Sequence, residues 1–268
     1  MWLDSHCHVT ADEFAEDRRQ VIDRALEGGV EALVAIGSGY GVARNRRAVE
    51  LAEAEPRIFA TVGVHPHEAE ELDDAGRAEL RAWLEHPRVV GVGECGLDYH
   101  YMRSSREVQR RVFAEQLVWA RESALPVSLH VRGEEPNAFD EMLEIWKAEG
   151  SGSLQGVLHC YTGSLDFARR ALDEGLYVSF SGILTFKRDR GLREVARALP
   201  LERLLVETDA PLLSPEGHRG RRNEPARVAL VGQMLAEVRQ RPLEEIARIT
   251  TQNARRLFQL PGGPDQAQ

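Results

Sequence analysis

Two histidines two residues apart stand near the start of the chain, in Trp2-Leu3-Asp4-Ser5-His6-Cys7-His8. On an extended backbone such residues share a face, so His6 and His8 aim two imidazoles at one point. Imidazole is the commonest side-chain metal ligand. The same chemistry recurs along the chain, each time after a short apolar run. His65 and His67 lie in Gly63-Val64-His65-Pro66-His67, and Glu94 in Gly93-Glu94-Cys95-Gly96-Leu97-Asp98-Tyr99. His130 follows Val127-Ser128-Leu129, His159 precedes Cys160-Tyr161, and Asp209 ends Val206-Glu207-Thr208-Asp209. Histidines joined by one or two carboxylates suit Zn²⁺, Mn²⁺ or Fe²⁺, whereas Mg²⁺ prefers more oxygen. The set suggests two metals, with Glu94 able to bridge them through its two oxygens. Two ions about 3.5–4 Å apart can hold a water or hydroxide between them and clamp a substrate's charged oxygens. A carboxylate beside that water, Asp209, can take its proton as general base; the alternative for Asp209 is a helix N-cap ahead of Pro211. Glu207 is either a support for a ligand histidine or the partner of an arginine.

The elements that must carry these residues alternate. Strands are expected at Trp2–Asp4, Ala32–Ile36, Ile58–Val64, Val89–Gly93, Val127–Leu129, Gly156–Leu158, Tyr177–Phe180 and Leu204–Val206. Helices are expected between them, from Ala11–Leu26 and Val42–Ala54 through Arg106–Ser123 to Ala226–Arg239, with one more at Leu243–Phe258. About eight strand-then-helix units in 268 residues predict an α/β protein, a (β/α)₈ TIM barrel; an open doubly wound sheet is the alternative. Every strand of such a barrel opens its carboxyl end on one face, where active sites lie. The metal site is therefore expected at the C-terminal end of the strands. With no linker or composition shift, residues 1–260 read as a single domain and 261–268 as a flexible tail.

A net charge of −9 argues against a protein whose main task is to coat nucleic acid, and leaves room for an enzyme with a local basic patch or a metal that neutralises phosphate. The composition, 43% hydrophobic and 29% charged, is that of an ordinary globular chain. Cys7, Cys95 and Cys160 form no Cys-X-X-Cys and, being odd in number, no disulfide framework. Thiols left reduced fit a cytoplasmic compartment. No signal peptide and no membrane-length apolar run is seen, so no membrane partner is expected.

At Gly93-Glu94-Cys95-Gly96-Leu97-Asp98-Tyr99, His159-Cys160-Tyr161-Thr162-Gly163 and Glu207-Thr208-Asp209-Ala210-Pro211 the sequence resembles the TatD family of metal-dependent deoxyribonucleases. His6-Cys7-His8, Gly63-Val64-His65-Pro66-His67 and Arg222-Asn223-Glu224-Pro225 agree, in order, over nearly the whole chain. The family belongs to the amidohydrolase-like TIM barrels. The resemblance implies that His6, His8, Glu94 and Asp209 hold one divalent ion (Mg, Mn or Zn), and that the shared Glu94 with His130 and His159 holds a second. It places His65 and His67 near the substrate. The implied activity is hydrolysis of DNA phosphodiesters by a metal-bridged hydroxide, including 3′-to-5′ exonuclease action on single strands, in the cytoplasm. DNA is then a transient partner, and no obligatory protein partner is inferred. The segment after His130, Val131-Arg132-Gly133-Glu134-Glu135-Pro136-Asn137-Ala138, keeps the family's arginine at Arg132 but is longer and more acidic.

For an acidic enzyme to meet DNA, local cations must serve. Arg219, Arg221 and Arg222 follow strand eight, and Lys187, Arg188 and Arg190 follow strand seven. Arginine forks suit phosphate. Tyr99, Tyr101 and Tyr161 follow ligand-bearing strands and could stack a base. So few basic contacts imply modest affinity, suited to an enzyme that trims an end and leaves. Two further readings compete: an amidohydrolase-like metallohydrolase acting on a small ester, lactone, amide or phosphoester, and a metal-bearing scaffold without catalysis.

Overall fold

The computed structural model describes residues 1–134, 137–150, 152–188 and 191–261. Among them the elements run β1 (Trp2–Cys7), α1 (Arg18–Glu27), β2 (Val30–Ile36), α2 (Asn45–Ala54), β3 (Ile58–Val62), α3 (Asp74–Trp83), β4 (Val89–Asp98) and α4 (Arg106–Ser123). They continue as β5 (Val127–Arg132), α5 (Asn137–Gly150), β6 (Gly156–Leu158), α6 (Leu165–Asp173), β7 (Leu176–Phe180), α7 (Leu192–Ala198), β8 (Leu204–Val206), α8 (Val228–Arg239) and α9 (Leu243–Leu257). The strands lie in the sheet in chain order, β1 to β8. Order and alternation are those of the (β/α)₈ barrel class.

Most elements match the periodicity of the sequence, and the differences bear on function. The first expected helix is a 3₁₀ turn at Asp12–Phe14 followed by α1. Three strands run further than their apolar stretches: β1 through His6 to Cys7, β4 through Glu94 to Asp98, and β5 through His130 to Arg132. His6, Glu94 and His130 therefore sit within strands, where ladder bonds fix the backbone, and do not lie in the loops beyond.

The chain divides into two compact units. One comprises residues 35–159 and 170–177. In it β4 pairs in parallel with β3 and β5, and β5 with β6. All ten residues of β4 are buried, as expected of a parallel strand covered on both faces. The β4–β5 register shifts between Gly93 and Cys95, then continues through Gly96↔His130 to Asp98↔Arg132. Gly93 and Gly96 stand at φ 134 and 142. A Cβ on Gly96 would lie 2.0 Å from the His130 carbonyl oxygen, so only glycine permits this approach.

The other unit comprises residues 1–34, 160–169 and the described chain from 178 onward. Residues Val178, Ser179 and Phe180 pair with β8 in parallel. The end of β1 is laced to the segment after β8: the Asp209 N–H donates to the His6 carbonyl (3.0 Å) and the His8 N–H to that of Ala210 (2.8 Å). The Asn253 amide on α9 donates to the carbonyls of Leu201 (2.9 Å) and Leu204 (2.8 Å), tying the last helix to the entry of β8. Among the described residues no helix is long and apolar enough to cross a membrane.

Candidate metal centre

The first cluster lies in the unit that contains both β1 and β8. His6 Nε2 and His8 Nε2 are 3.4 Å apart and stand 3.6 and 3.5 Å from Asp209 Oδ1. All three side chains are buried. Asp209 stands at φ 56, a left-handed conformation rare for a residue with a side chain but tolerated best by Asp and Asn. Its amide bond to His6 and the Leu212 N–H donated to its own carbonyl (2.8 Å) hold it there. One residue earlier, the Thr208 N–H and hydroxyl donate to the buried carboxyl of Asp4 at 2.9 and 2.5 Å. Burial pushes the Asp4 pKa up, against the pull of those Thr208 bonds.

The second cluster lies in the unit that contains β3 to β6. Glu94 Oε1 is 2.8 Å from His130 Nδ1, 2.6 Å from His159 Nε2 and 3.6 Å from His65 Nε2. The two shorter distances are charge-assisted hydrogen bonds. Burial alone would raise the Glu94 pKa; His159, His65 and the bonds from His130 and His159 hold it well below the usual carboxylate range. Ser38 clamps its backbone, accepting from the Glu94 N–H (2.8 Å) and donating to the Glu94 carbonyl (3.1 Å).

Behind this cluster lies a residue that the sequence reading gave no role. Asp98 Oδ2 is 2.8 Å from His67 Nε2 and 3.2 Å from His130 Nε2. Its Oδ1 accepts from the N–H groups of His100 (3.0 Å) and Tyr101 (2.8 Å). Burial works to raise the Asp98 pKa, and the His130 and His67 bonds drive it far below the ordinary value. His130 is lowered by burial but raised overall by Asp98 and Glu94. The signal was present: residues 94 and 98 are an even number apart on one strand and so share a face.

Both donor sets fit divalent cations. Ligands held tetrahedrally about 2.0–2.2 Å from one ion stand roughly 3.3–3.6 Å from each other, and the His6, His8 and Asp209 atoms stand 3.4, 3.5 and 3.6 Å apart. His65, Glu94 and His130 also offer ligand atoms within 4.8 Å of one another. Asp98 at Nε2 fixes the His130 ring, and Nδ1, which meets Glu94, would offer its lone pair to a cation once its proton is given up.

The expected substrate-contacting residues divide. His65 and His67 join the Glu94 and Asp98 networks, and the His67 N–H donates to His65 Nδ1 (3.1 Å). Arg132 is exposed, its guanidinium 4.7 Å from the Tyr101 ring centroid. Arg221 is exposed. Arg222 instead makes a bidentate pair with Asp17 at 2.8 and 2.6 Å and donates to the Glu13 carbonyl. Tyr99 donates its hydroxyl to Glu141 and carries Arg106 over its ring at 4.3 Å. Tyr161 is buried and donates to the Ser164 carbonyl (2.5 Å). Arg219 lies over the Phe186 ring at 3.7 Å; Lys187 and Arg188 are exposed. Arg190, Glu135 and Pro136 lie outside the described residues, as does the expected tail beyond Pro261. The Glu207 carboxylate Oε1 accepts from the Cys160 N–H (2.7 Å), next to His159 in the chain.

Buried histidine–carboxylate clusters carried by the strands of a (β/α)₈ fold define the class, a metal-dependent hydrolase. Known proteins agree. Residues 3–259 match the family described as TatD related DNase. A Bacillus subtilis protein named uncharacterized metal-dependent hydrolase YabD is 38% identical over 97% of this chain and 100% of its own length. The 3′-5′ ssDNA/RNA exonuclease TatD of Erwinia tasmaniensis is 39% identical over 96% of this chain and 100% of its own. The crystal structure of the Escherichia coli TatD homologue YJJV superposes with a TM-score of 0.89 at 32% identity, covering 97% of this chain and 98% of that one. The chain belongs to the TatD-related DNase family of metal-dependent hydrolases.

Proposed function

We propose that the protein hydrolyses phosphodiester bonds of DNA, trimming single strands from the 3′ end, with two divalent cations (Mg²⁺, Mn²⁺ or Zn²⁺), one at each cluster. The observation that carries this reading is the pair of histidine–carboxylate clusters, His6–His8–Asp209 and Glu94–His130–His159. The exonuclease relative, 39% identical along its whole length, supports the substrate and the polarity. When bound, the cations supply Lewis acidity toward phosphoryl oxygens and bring the pKa of water to about 7. The Asp209 carboxylate is the proton acceptor, fixed by the backbone hydrogen bonds around it. Asp98 holds the rings of His130 and His67, and His65 and His67 stand on the substrate side of this cluster. The setting proposed for this activity is the cytoplasm, in DNA repair or degradation.

The test is digestion of end-labelled single- and double-stranded DNA with each metal, with chelator, and beside a panel of small esters, lactones and phosphoesters. Metal-dependent loss of single strands from the 3′ end is expected, abolished by Glu94→Ala and by Asp209→Ala in folded protein. Inert DNA with rapid small-ester turnover would transfer the protein to the alternative, a small-molecule metallohydrolase.

A further inference from the structure

We infer that Tyr101 is the platform on which the terminal bases of a single strand stack; the inference rests on the nuclease reading above. Three tyrosines follow ligand-bearing strands, and their surroundings separate them. Tyr99 and Tyr161 have their hydroxyls tied down, to Glu141 and to the Ser164 carbonyl. Tyr101 is 51% exposed, one of the few large hydrophobic side chains so open to water.

Its backbone is nonetheless fixed. The Tyr101 N–H donates to Asp98 Oδ1, while Asp98 Oδ2 meets His67 and His130. One carboxylate therefore ties the aromatic residue and the histidines of the second cluster to the end of the same strand. The His67 ring stands edge-on to Tyr101 with centroids 5.5 Å apart, and His100 does the same at 4.7 Å. The guanidiniums of Arg132 and Arg103 lie 4.7 and 6.0 Å from the ring centroid. A half-exposed aromatic ring with two exposed arginines over it is the pairing that binds single strands: a base takes the place of a guanidinium on the ring, and the displaced fork faces phosphate or stacks in turn. Stacking accepts any base because each has a π-face. The inferred specificity is accordingly for unpaired ends and not for sequence.

The test compares wild type, Tyr101→Ala and Tyr101→Phe on two end-labelled strands. One is ordinary; in the other the last two 3′ nucleotides are abasic. On the ordinary strand, Tyr101→Ala is expected to raise KM about 5- to 100-fold, with Tyr101→Phe close to wild type. On the abasic-ended strand, wild type and Tyr101→Ala are expected to share the same raised KM. An unchanged KM for Tyr101→Ala on the ordinary strand, or an equal rise on both strands, would overturn the inference. If wild type cuts neither strand, the nuclease reading fails on its own. Fluorescence anisotropy with the same strands then decides the stacking: equal Kd values for wild type and Tyr101→Ala overturn it, and weaker binding of the ordinary strand alone by Tyr101→Ala sustains it.

Discussion

Asp98 shows how much can hang on one side chain. Its two oxygens meet two imidazoles and two backbone N–H groups. An amide in its place keeps one acceptor oxygen and turns an NH₂ group toward N–H donors. Asp98→Asn is therefore expected to reduce metal affinity or kcat/KM about 10- to 100-fold, the usual effect of losing a partner of a ligand histidine. Metal titration and steady-state kinetics would check it, and wild-type values in both would deny Asp98 this role. At this scale the sequence was legible where a residue's chemistry is local to its strand end. His6 and His8 face one point, as their spacing required. It was illegible where a partner comes from far along the chain. Arg222 looked like a phosphate fork, yet it is bonded to Asp17, 205 residues away. No spacing rule reports such a pair.

Among the elements, β4 and β5 set the geometry of the second cluster. Apolar patterning ended β4 at Gly93 because polar residues follow, but those residues are buried and the ladder continues to Asp98. Burial of charge is a tertiary property that periodicity does not carry. The close passage depends on Gly96, where a side chain would strike the His130 carbonyl and the backbone stands at φ 142. Gly96→Ala is expected to destabilise the fold by about 2–4 kcal/mol through clash and backbone strain. Urea unfolding measures this directly, and an unshifted midpoint would mean that the two strands can part without penalty. The alternation of strand and helix was readable because apolar runs and amphipathic stretches alternate along the chain, many of them punctuated by glycine, proline or a polar turn.

At the scale of the whole molecule, the chain's distant segments are joined by ion pairs as well as by strands. In the unit holding both β1 and β8, Asp17 and Glu224 meet Arg222 and Arg24. Hydrogen bonding to Arg222 holds the Asp17 pKa below its ordinary value. Burial alone would raise Glu224, but Arg24 brings it below its own. For an acid whose folded pKa is depressed, the stabilisation is complete above the unfolded value, about 3.9 for Asp. It fades as pH falls through the folded value. The gap in urea midpoint between wild type and Arg222→Ala is therefore expected to be larger at pH 6 than at pH 3. A gap independent of pH would show that packing of Arg222 over Phe14, and not its charge, is what matters.

The separation of the two clusters along the chain has a consequence for biosynthesis. Glu94, His130 and His159 are all translated by residue 159, whereas His6 and His8 must wait for Asp209. A nascent polypeptide emerging N-terminus first would hold every member of the second cluster while the first still lacked Asp209. On the proposed reading, in which each cluster takes one cation, loading would follow the ribosome's progress, and a chain stalled before its last quarter would carry the second cluster alone.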